Sequence, residues 1–181
     1  MNRKQLNIGL LGFGSMGRTH TWAISAIPFY YRNPPFEARL AGVYTRTERT
    51  REDARSEFGF VKAYSSEDEL IADPDIDIID TTTPNIAHYE TIKKAINAGK
   101  HIYCEKPLTT TAEEADEVAR LSSDAGVTAQ IVFNTRFLSP IMRAKQLIDE
   151  GRLGRIISFR SSYLHASCTD LAKSAGWKQD K

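Results

Sequence analysis

Short apolar runs alternate with longer segments of helical periodicity along most of this chain, and this alternation limits the possible folds more than any other feature. A short buried strand followed by a helix, repeated along the chain, is typical of a parallel sheet with helices on both faces. The order therefore predicts an α/β fold built on a doubly wound parallel sheet. The predicted strands are 6–12, 38–45, 60–64, 76–82, 101–104 and 128–133.

Composition and charge argue against several classes of protein. The 181 residues are 41% hydrophobic and 26% charged with a net charge of +1, which is unlike a disordered chain or a nucleic-acid binder. No run approaches the roughly 20 apolar residues that span a bilayer. Cys104 and Cys168 lack a metal-ligand spacing, so no metal site is predicted. We expect a cytoplasmic protein without a membrane or nucleic-acid partner.

Three glycines, Gly12, Gly14 and Gly17, lie between the first strand and the first helix in the stretch IGLLGFGSMGRTH. In a dinucleotide-binding turn the first glycine permits the turn, the second lets a pyrophosphate approach the backbone, and the third allows close helix packing. The unpaired N–H groups of Ser15, Met16 and Gly17 would then bind phosphate oxygens. The alternative is a glycine-rich turn that binds no ligand.

The end of the second strand bears on the choice between NAD and NADP. NAD enzymes usually place an Asp or Glu there to accept hydrogen bonds from the ribose. This chain has Thr45 and Arg46 instead, and its first acid is Glu48. A hydroxyl and a guanidinium would bind a 2′-phosphate that a carboxylate would repel, which favours NADP over NAD. The alternative is that Arg46 is a solvated residue at the start of the next helix.

Glu105 and Lys106 follow the fifth strand directly, and Pro107 comes next. In an open parallel sheet, ligands bind beyond the carboxyl ends of the strands, where the glycine turn also lies. An ammonium group there can hydrogen-bond the nicotinamide ribose and the reacting oxygen of a substrate. Because Pro107 keeps Lys106 out of helical geometry, the lysine is positioned before substrate arrives. The alternative is an incidental ion pair on the surface.

Three stretches resemble the Gfo/Idh/MocA oxidoreductases, the group of glucose–fructose oxidoreductase and inositol dehydrogenase. They are GFGSMGRTH, DIIDTTTPNIAHYETIKKAINAGKHIYCEKPL and RIISFRSSY, so the resemblance runs from about residue 6 to about residue 165. It implies an N-terminal Rossmann domain, a C-terminal α/β domain, and NAD or NADP as the hydride carrier. It also implies a sugar, a cyclitol or a related polyol as substrate.

The resemblance also implies roles for individual residues. Lys106 is implied as the catalytic lysine, in a Lys106–Pro107 bond that is often cis in such proteins. Arg136 belongs to the segment by which the family leaves the Rossmann domain. Together, the motifs and the resemblance predict that the cofactor is bound by Gly12, Phe13, Gly14, Ser15, Met16, Gly17, Thr45, Arg46, Thr83, Pro84, Asn85, His88, Glu105, Lys106 and Arg136.

The strand–helix alternation changes after Phe133, which predicts a domain boundary. We expect a Rossmann domain over 1–136 and the truncated start of a C-terminal α/β domain over 137–181, with a helix over 139–154 and a strand over 155–166. Ile157, Phe159 and Tyr163 would form an apolar face that a lone strand cannot bury. The family's further Asp and His would lie beyond the end of this chain, so we expect it to be inactive alone.

The leading hypothesis is an NAD(P)-dependent oxidoreductase that transfers a hydride to or from a secondary alcohol of a sugar, cyclitol or related polyol. One alternative is a dinucleotide-binding regulator or sensor without turnover; another is a glycosidase that oxidises its substrate transiently with bound NAD. Lys106 favours an enzyme, because a sensor does not need a positioned ammonium. A homo-oligomer, either dimer or tetramer, is expected for the full-length form.

Other residues with chemical potential are given structural interpretations. His20 lies one turn inside the first helix and is predicted to be structural or next to the cofactor, without acting as a base. His165 and Cys168 have an HxxC spacing, but two ligands without partners make a weak zinc site. Trp22 and Trp177 are predicted to be packing residues.

Overall fold

The computed structural model describes residues 3–164, and it confirms a doubly wound parallel sheet of the Rossmann type. Six parallel strands lie in the order β3-β2-β1-β4-β5-β6. The strands are β1 (Lys4–Leu11), β2 (Phe36–Tyr44), β3 (Lys62–Ala63), β4 (Ile78–Thr81), β5 (His101–Glu105) and β6 (Ala129–Val132). The helices are α1 (Ser15–Tyr30), α2 (Glu48–Phe58), α3 (Glu67–Ala72), α4 (His88–Asn97), α5 (Ala112–Asp124) and α6 (Ser139–Asp149).

Local sequence signals set several helix ends. Ser66 caps α3 by accepting a hydrogen bond from the Glu69 N–H at 3.1 Å. Thr111 and Glu114 form a capping box at the start of α5, each side chain accepting from the other residue's backbone N–H. Gly59 ends α2 with a φ of 81°, a left-handed conformation that glycine adopts without a steric penalty.

The two faces of the sheet are buried by different helices. Leu11 belongs to one core, which includes residues of α3, α4 and α5, whereas Leu10 belongs to a second core with residues of α2. Successive residues of a strand point to opposite faces, so these neighbours define the two sides. Leu10 pairs with Asp80, and Asp80 pairs with Tyr103, so all three lie in one row on one face of the sheet.

Several predicted elements differ from the structure. The third strand is limited to Lys62–Ala63, and α1 continues through Pro28 to Tyr30. Trp22 was expected to pack, but it is 63% exposed and this prediction is wrong. It lies on the part of α1 that faces solvent, since the buried residues of α1 are Gly17, His20, Thr21 and Ala26.

The strand predicted over 155–166 is wrong for the residues that the structure describes. Residues 155–164 form no strand, and 165–166 lie outside the described residues. A strand is stable only when a neighbour accepts and donates its backbone hydrogen bonds, and the alternating pattern alone does not supply one. The prediction that the apolar side chains are exposed is confirmed for Ile157, Phe159 and Tyr163. His165, Cys168 and Trp177, which carried other predictions, also lie outside the described residues.

The chain divides into two compact units, the first ending at Asn134 and the second beginning at Thr135. In its described part the first unit contains the sheet and the helices α1–α5. In its described part the second unit contains α6 and most of a short 3₁₀ turn, Asn134–Phe137. Its assignment as the start of a C-terminal α/β domain stays a prediction. Within residues 3–164, no helix is both long enough and apolar enough to cross a membrane.

Candidate functional site at the carboxyl edge of the sheet

Backbone geometry explains two of the three glycines in the turn. Gly12 has a φ of 89°, in the left-handed region. A Cβ on Gly17 would lie 2.5 Å from the carbonyl oxygen of Gly12 and 3.0 Å from Thr82 Oγ1, so only glycine lets α1 approach β1 this closely. The first and third glycines therefore have the roles predicted for them.

Gly14 differs, because a Cβ there would have no protein atom within 4 Å. The fold itself does not require a glycine at this position, and the space beside it is open. Gly14 is the N-cap of α1, and neither a capping side chain nor an acidic residue of the first turn satisfies the N-terminal N–H groups. A free helix N-terminus beside an open glycine fits the pyrophosphate of a dinucleotide, which needs N–H donors and close approach.

Phe13 occupies the turn, but its side chain faces the core. The ring packs edge-on against Phe58 and Phe60, with centroid distances of 5.0 and 6.0 Å. The Arg18 guanidinium lies 5.5 Å from the Phe13 centroid, on the solvent side of this aromatic group. Phe13 is only 6% exposed, so its ring is used mainly for core packing.

The end of β2 is tied directly to the glycine turn. The Gly12 N–H donates to the Tyr44 carbonyl at 2.9 Å, which places Thr45 and Arg46 beside the turn. Thr45 is buried and its hydroxyl donates to the Thr47 carbonyl, whereas Arg46 is exposed. Arg51 Nη1 donates to the Thr45 carbonyl at 3.3 Å, so a second arginine that was not predicted lies at this strand end.

Two buried contacts of His88 connect the loops that follow β4 and β5. Its Nε2 lies 2.9 Å from the Thr83 carbonyl oxygen, and its Nδ1 lies 2.9 Å from the Pro107 carbonyl oxygen. Pro84 and Asn85 lie between Thr83 and His88 in the sequence, and Asn85 begins a 3₁₀ turn. His88 is only 1% exposed, so its side chain holds the two loops together beneath the surface.

Glu105 ends β5, and Lys106 is the first residue beyond it. Glu105 is buried, and its Oε2 accepts a hydrogen bond from the Lys106 backbone N–H at 3.1 Å. The Lys106 side chain is exposed, and the Lys106–Pro107 peptide bond is cis, as the resemblance implied.

A cluster of three buried ionisable side chains lies directly behind Lys106. His20 Nδ1 lies 2.9 Å from Asp80 Oδ1, and His20 Nε2 lies 3.3 Å from Glu105 Oε1. His20 and Glu105 are 6% and 7% exposed, and Asp80 is fully buried. The prediction that His20 is structural or next to the cofactor agrees with this position. We call His20, Asp80 and Glu105 the edge cluster.

Burial and charge act against each other in the edge cluster. Burial lowers the pKa of His20, but hydrogen bonds and charge from Asp80 and Glu105 outweigh it, so the net pKa is raised. Burial raises the pKa of Asp80, and His20 offsets only part of this effect. On the opposite face of β5, burial followed by the charges of Asp80 and Glu105 raises the pKa of Cys104 to about 12, so its thiol is unreactive at neutral pH.

Sheet register aligns the functional strand ends. Leu11 pairs with Thr81, and Thr81 pairs with Cys104, so Gly12 and Glu105 each extend one residue past the same row. They are two strands apart, a separation of about 10 Å from the spacing of neighbouring strands. The order of the sheet reverses at β1, which is the position where open α/β sheets bind ligands.

An apolar cavity of about 330 Å³ lies elsewhere, between α5 and the strands β5 and β6. It contains no ionisable side chain among its lining residues, so it lacks the groups for acid–base chemistry. Among the described residues, no group of three or more His, Cys, Asp and Glu side chains is arranged to hold a metal ion.

The structure thus brings together most of the residues predicted for the site. The glycine turn, Thr45, Thr83 and Lys106 all follow strands at one edge of the sheet. Arg136 lies in the second unit, and its role stays a prediction. Asp80 was missed, although a carboxylate inside the apolar run IDIIDTT is itself a signal, because a buried charge needs a partner.

Comparison with known proteins agrees with this geometry. A family model described as an oxidoreductase family with an NAD-binding Rossmann fold, Gfo/Idh/MocA, matches residues 6–133. The chain belongs to the Gfo/Idh/MocA oxidoreductase family. Members of this family are NAD(P)-dependent oxidoreductases, and the resemblance predicted from the sequence is confirmed.

Relatives of this Gfo/Idh/MocA chain include sugar and cyclitol dehydrogenases. Levoglucosan dehydrogenase of Pseudarthrobacter phenanthrenivorans is 38% identical over 98% of this chain and 46% of that protein. The scyllo-inositol 2-dehydrogenase (NADP(+)) of Bacillus subtilis is 31% identical over 87% of this chain and 41% of that protein. This chain therefore spans less than half the length of these relatives.

Solved structures of the Gfo/Idh/MocA family have the same fold. A levoglucosan dehydrogenase in complex with NADH and levoglucosan superposes with a TM-score of 0.80 at 36% identity. The match covers 84% of this chain and 41% of that structure.

Proposed function

We propose that this chain is the cofactor-binding half of an NAD(P)-dependent oxidoreductase that acts on a secondary alcohol of a cyclic sugar, cyclitol or related polyol. The observation that supports this proposal is the alignment of an uncapped helix N-terminus, an open glycine and the Glu105–Lys106 pair along one edge of the sheet. The relatives named for levoglucosan and scyllo-inositol support the substrate class.

Each group at the edge has a distinct task in this proposal. The N–H groups of Ser15, Met16 and Gly17 bind the pyrophosphate at the start of α1. When bound, the nicotinamide supplies the acceptor or donor of the hydride. The Lys106 ammonium hydrogen-bonds the substrate oxygen and stabilises the negative charge that develops there. We expect the residue that takes the hydroxyl proton to lie in the C-terminal domain that the family resemblance implies.

Gly14→Val tests the cofactor site with little effect on the fold. A Cβ at Gly14 meets no atom within 4 Å outside the adjacent residues, so we expect the free energy of unfolding to fall by no more than about 1 kcal/mol. The valine side chain would fill the space predicted for the pyrophosphate. We expect NADH affinity to fall at least about tenfold, the loss of one or two charge-assisted hydrogen bonds.

Fluorescence titration of NADH into the 181-residue chain measures this effect. Ala125→Val is the matched control. Ala125 is the exposed C-cap of α5, at the end of that helix away from the carboxyl edge of the sheet, so the substitution should not change NADH affinity. Equal NADH affinities for the wild type, Gly14→Val and Ala125→Val would contradict the proposal that the nucleotide binds at the glycine turn.

The preference for NADP rests on the absence of a carboxylate at the end of β2. Arg46 is exposed beside the turn, where it can pair with a 2′-phosphate, and Arg51 adds a second positive charge nearby. We expect Arg46→Ala to weaken NADPH about five- to tenfold while changing NADH affinity less than twofold. Arg49→Ala, another exposed arginine in the first turn of α2, is the control. Equal losses for NADPH and NADH would contradict the preference.

A further inference from the structure

The hydrogen bonds of Glu105 connect the edge cluster to the backbone of Lys106. One carboxylate oxygen, Oε1, faces His20 Nε2 at 3.3 Å, and the other, Oε2, accepts from the Lys106 N–H at 3.1 Å. Both oxygens of Glu105 are therefore engaged, one by α1 and one by the loop after β5. The Glu105 carboxylate therefore links His20 directly to the backbone of Lys106.

Both ring nitrogens of His20 face carboxylate oxygens. Asp80 on β4 approaches Nδ1 with both oxygens, at 2.9 and 3.0 Å, and Glu105 on β5 approaches Nε2. Among the described residues, Tyr103 is a further titratable neighbour, with its ring centroid 5.5 Å from that of His20. A neutral imidazole can donate only one hydrogen bond, so two ionised carboxylates are satisfied together only by a ring that carries both protons.

We propose that His20 is a positioning residue: a doubly protonated imidazole, held between Asp80 and Glu105, that orients the Glu105 carboxylate and thereby fixes the backbone at Lys106. The proposal rests on the function proposed above, in which Lys106 contacts the reacting oxygen. Asp80 fixes the ring through Nδ1, and the positive charge of the ring keeps two buried carboxylates from repelling each other. His20 does not exchange a proton with substrate, and it acts only through Glu105.

The protonation state can be tested directly in the 181-residue chain. Ring ¹⁵N chemical shifts of histidine distinguish protonated from unprotonated nitrogens, and His20→Gln assigns the signals by their disappearance. At pH 7.5 we expect both His20 nitrogens to have shifts of the protonated type. His101 is an internal reference, because its Nδ1 accepts a hydrogen bond from the Thr128 N–H at 3.0 Å and must be unprotonated.

Two carboxylate variants separate the effect of Asp80 from a general loss of charge. Asp80→Asn removes the negative charge at Nδ1, and we expect one His20 nitrogen to become unprotonated at pH 7.5. Asp73→Asn is the matched control, since Asp73 also accepts several hydrogen bonds but belongs to a separate group with Lys62 and Tyr64. We expect Asp73→Asn to leave the His20 signals unchanged.

The positioning role is tested by kinetics in the full-length enzyme. We expect His20→Gln to lower kcat by between about 10- and 100-fold, the cost of a catalytic group displaced by an ångström or less. The dissociation constant of the cofactor should change less than about threefold, because the glycine turn is intact. Asp80→Asn should lower kcat less than His20→Gln, and its pH–kcat profile should shift to lower pH, because His20 then loses its proton more readily.

The outcomes separate this inference from the proposed function. An unprotonated His20 nitrogen in the wild type at pH 7.5, or a wild-type kcat in His20→Gln, would overturn the positioning role and leave the oxidoreductase proposal standing. Failure of the wild type to bind NADH or NADPH would overturn the oxidoreductase proposal, whatever the His20 signals show. Doubly protonated His20 with the expected fall in kcat supports both.

Discussion

Asp80 and Asp73 each accept hydrogen bonds from a basic side chain, yet their pKa values move in opposite directions. Burial raises the pKa of Asp80, and His20 compensates only in part. Hydrogen bonds from Lys62, then Tyr64, then the Asp75 N–H hold the pKa of Asp73 well below its ordinary value. Both carboxylates lie in the first unit, so the difference reflects solvent access and the number of donors.

The contacts of Asp73 stabilise the fold, whereas burial of Asp80 costs free energy. The group of Lys62, Tyr64 and Asp73, called here the surface cluster, connects β3 to the end of α3. Its lysine is 58% exposed and its carboxylate 13%, whereas Tyr64 is buried. The edge cluster places two carboxylates and one imidazole where water does not reach. Buried charges cost free energy, and a chain that keeps them beside Lys106 accepts lower stability at its candidate site.

The largest expected contrast is between the lysines of the two regions. We expect Lys106→Ala to lower kcat of the full-length enzyme at least about 10²-fold, the usual cost of removing one donor from a developing negative charge. Cofactor affinity should change only a few-fold. Lys62→Ala, also an exposed lysine, should leave kcat unchanged. Loss of NADH binding without loss of kcat in Lys106→Ala would contradict the role of Lys106.

The loss of stability should be larger for a variant of the buried edge cluster than for one of the exposed lysine in the surface cluster. His20→Ala leaves Asp80 and Glu105 buried without their common partner, and we expect the free energy of unfolding to fall by about 3–5 kcal/mol. Lys62→Ala breaks a contact in which the lysine is 58% exposed, and its effect should be much smaller. Urea unfolding of the 181-residue variants measures both, and comparable losses would show that the edge cluster is better solvated than its burial indicates.

The two clusters should also lose stability at opposite ends of the pH range. The pKa of His20 is raised in the folded state, so its contribution is complete below the unfolded value of 6.5 and is lost as pH rises through the folded pKa. The pKa of Asp73 is lowered, so its contribution is present above 3.8 and is lost as pH falls through the folded pKa.

Urea unfolding between pH 3 and pH 9 measures these slopes. His20→Gln should flatten the alkaline side, and Asp73→Asn should flatten the acidic side. The reverse assignment of the two slopes would contradict the pKa directions.

A smaller effect is expected at Cys104, which lies beside the edge cluster on the opposite face of β5. Burial raises the pKa of Cys104 to about 12, and burial also leads the rise of the Tyr64 pKa to about 12. At pH 8 we expect Cys104 to react with iodoacetamide much more slowly in the native chain than in urea. Cys104→Ser identifies its share of the label by mass spectrometry. Equal rates in both conditions would mean that Cys104 is accessible and ionised.

The contrast between Gly17 and Asp80 shows which features could be predicted from sequence. Gly17 belongs to a short-range pattern, so the strand before it and the helix after it were enough to predict its close packing. Asp80 pairs with His20, which is 60 residues away, and His20 in turn faces Glu105 on the adjacent strand β5, so no local pattern brings the three together. Long-range pairing of this kind depends on sheet order, which the alternation of elements does not specify.

In the segment 155–166 a local pattern predicted a strand that residues 155–164 do not form. Its alternating apolar residues indicated a strand, but the pattern only states which side chains share a face if a partner strand exists. The exposed Trp22 has a similar cause, since an aromatic residue in an amphipathic helix is buried only when it lies on the inner face.

The central claim is that a pyridine nucleotide lies between the glycine turn and Lys106. NMR titration of the 181-residue chain with NADH tests it most directly, by following the backbone amide signals of Ser15, Gly17 and Lys106, with the exposed Ala125 at the C-terminal end of α5 as a reference. We expect the signals at both sides of the crevice to shift together with one dissociation constant, while that of Ala125 does not shift. Shifts confined to the glycine turn, or absent from Lys106, would contradict it.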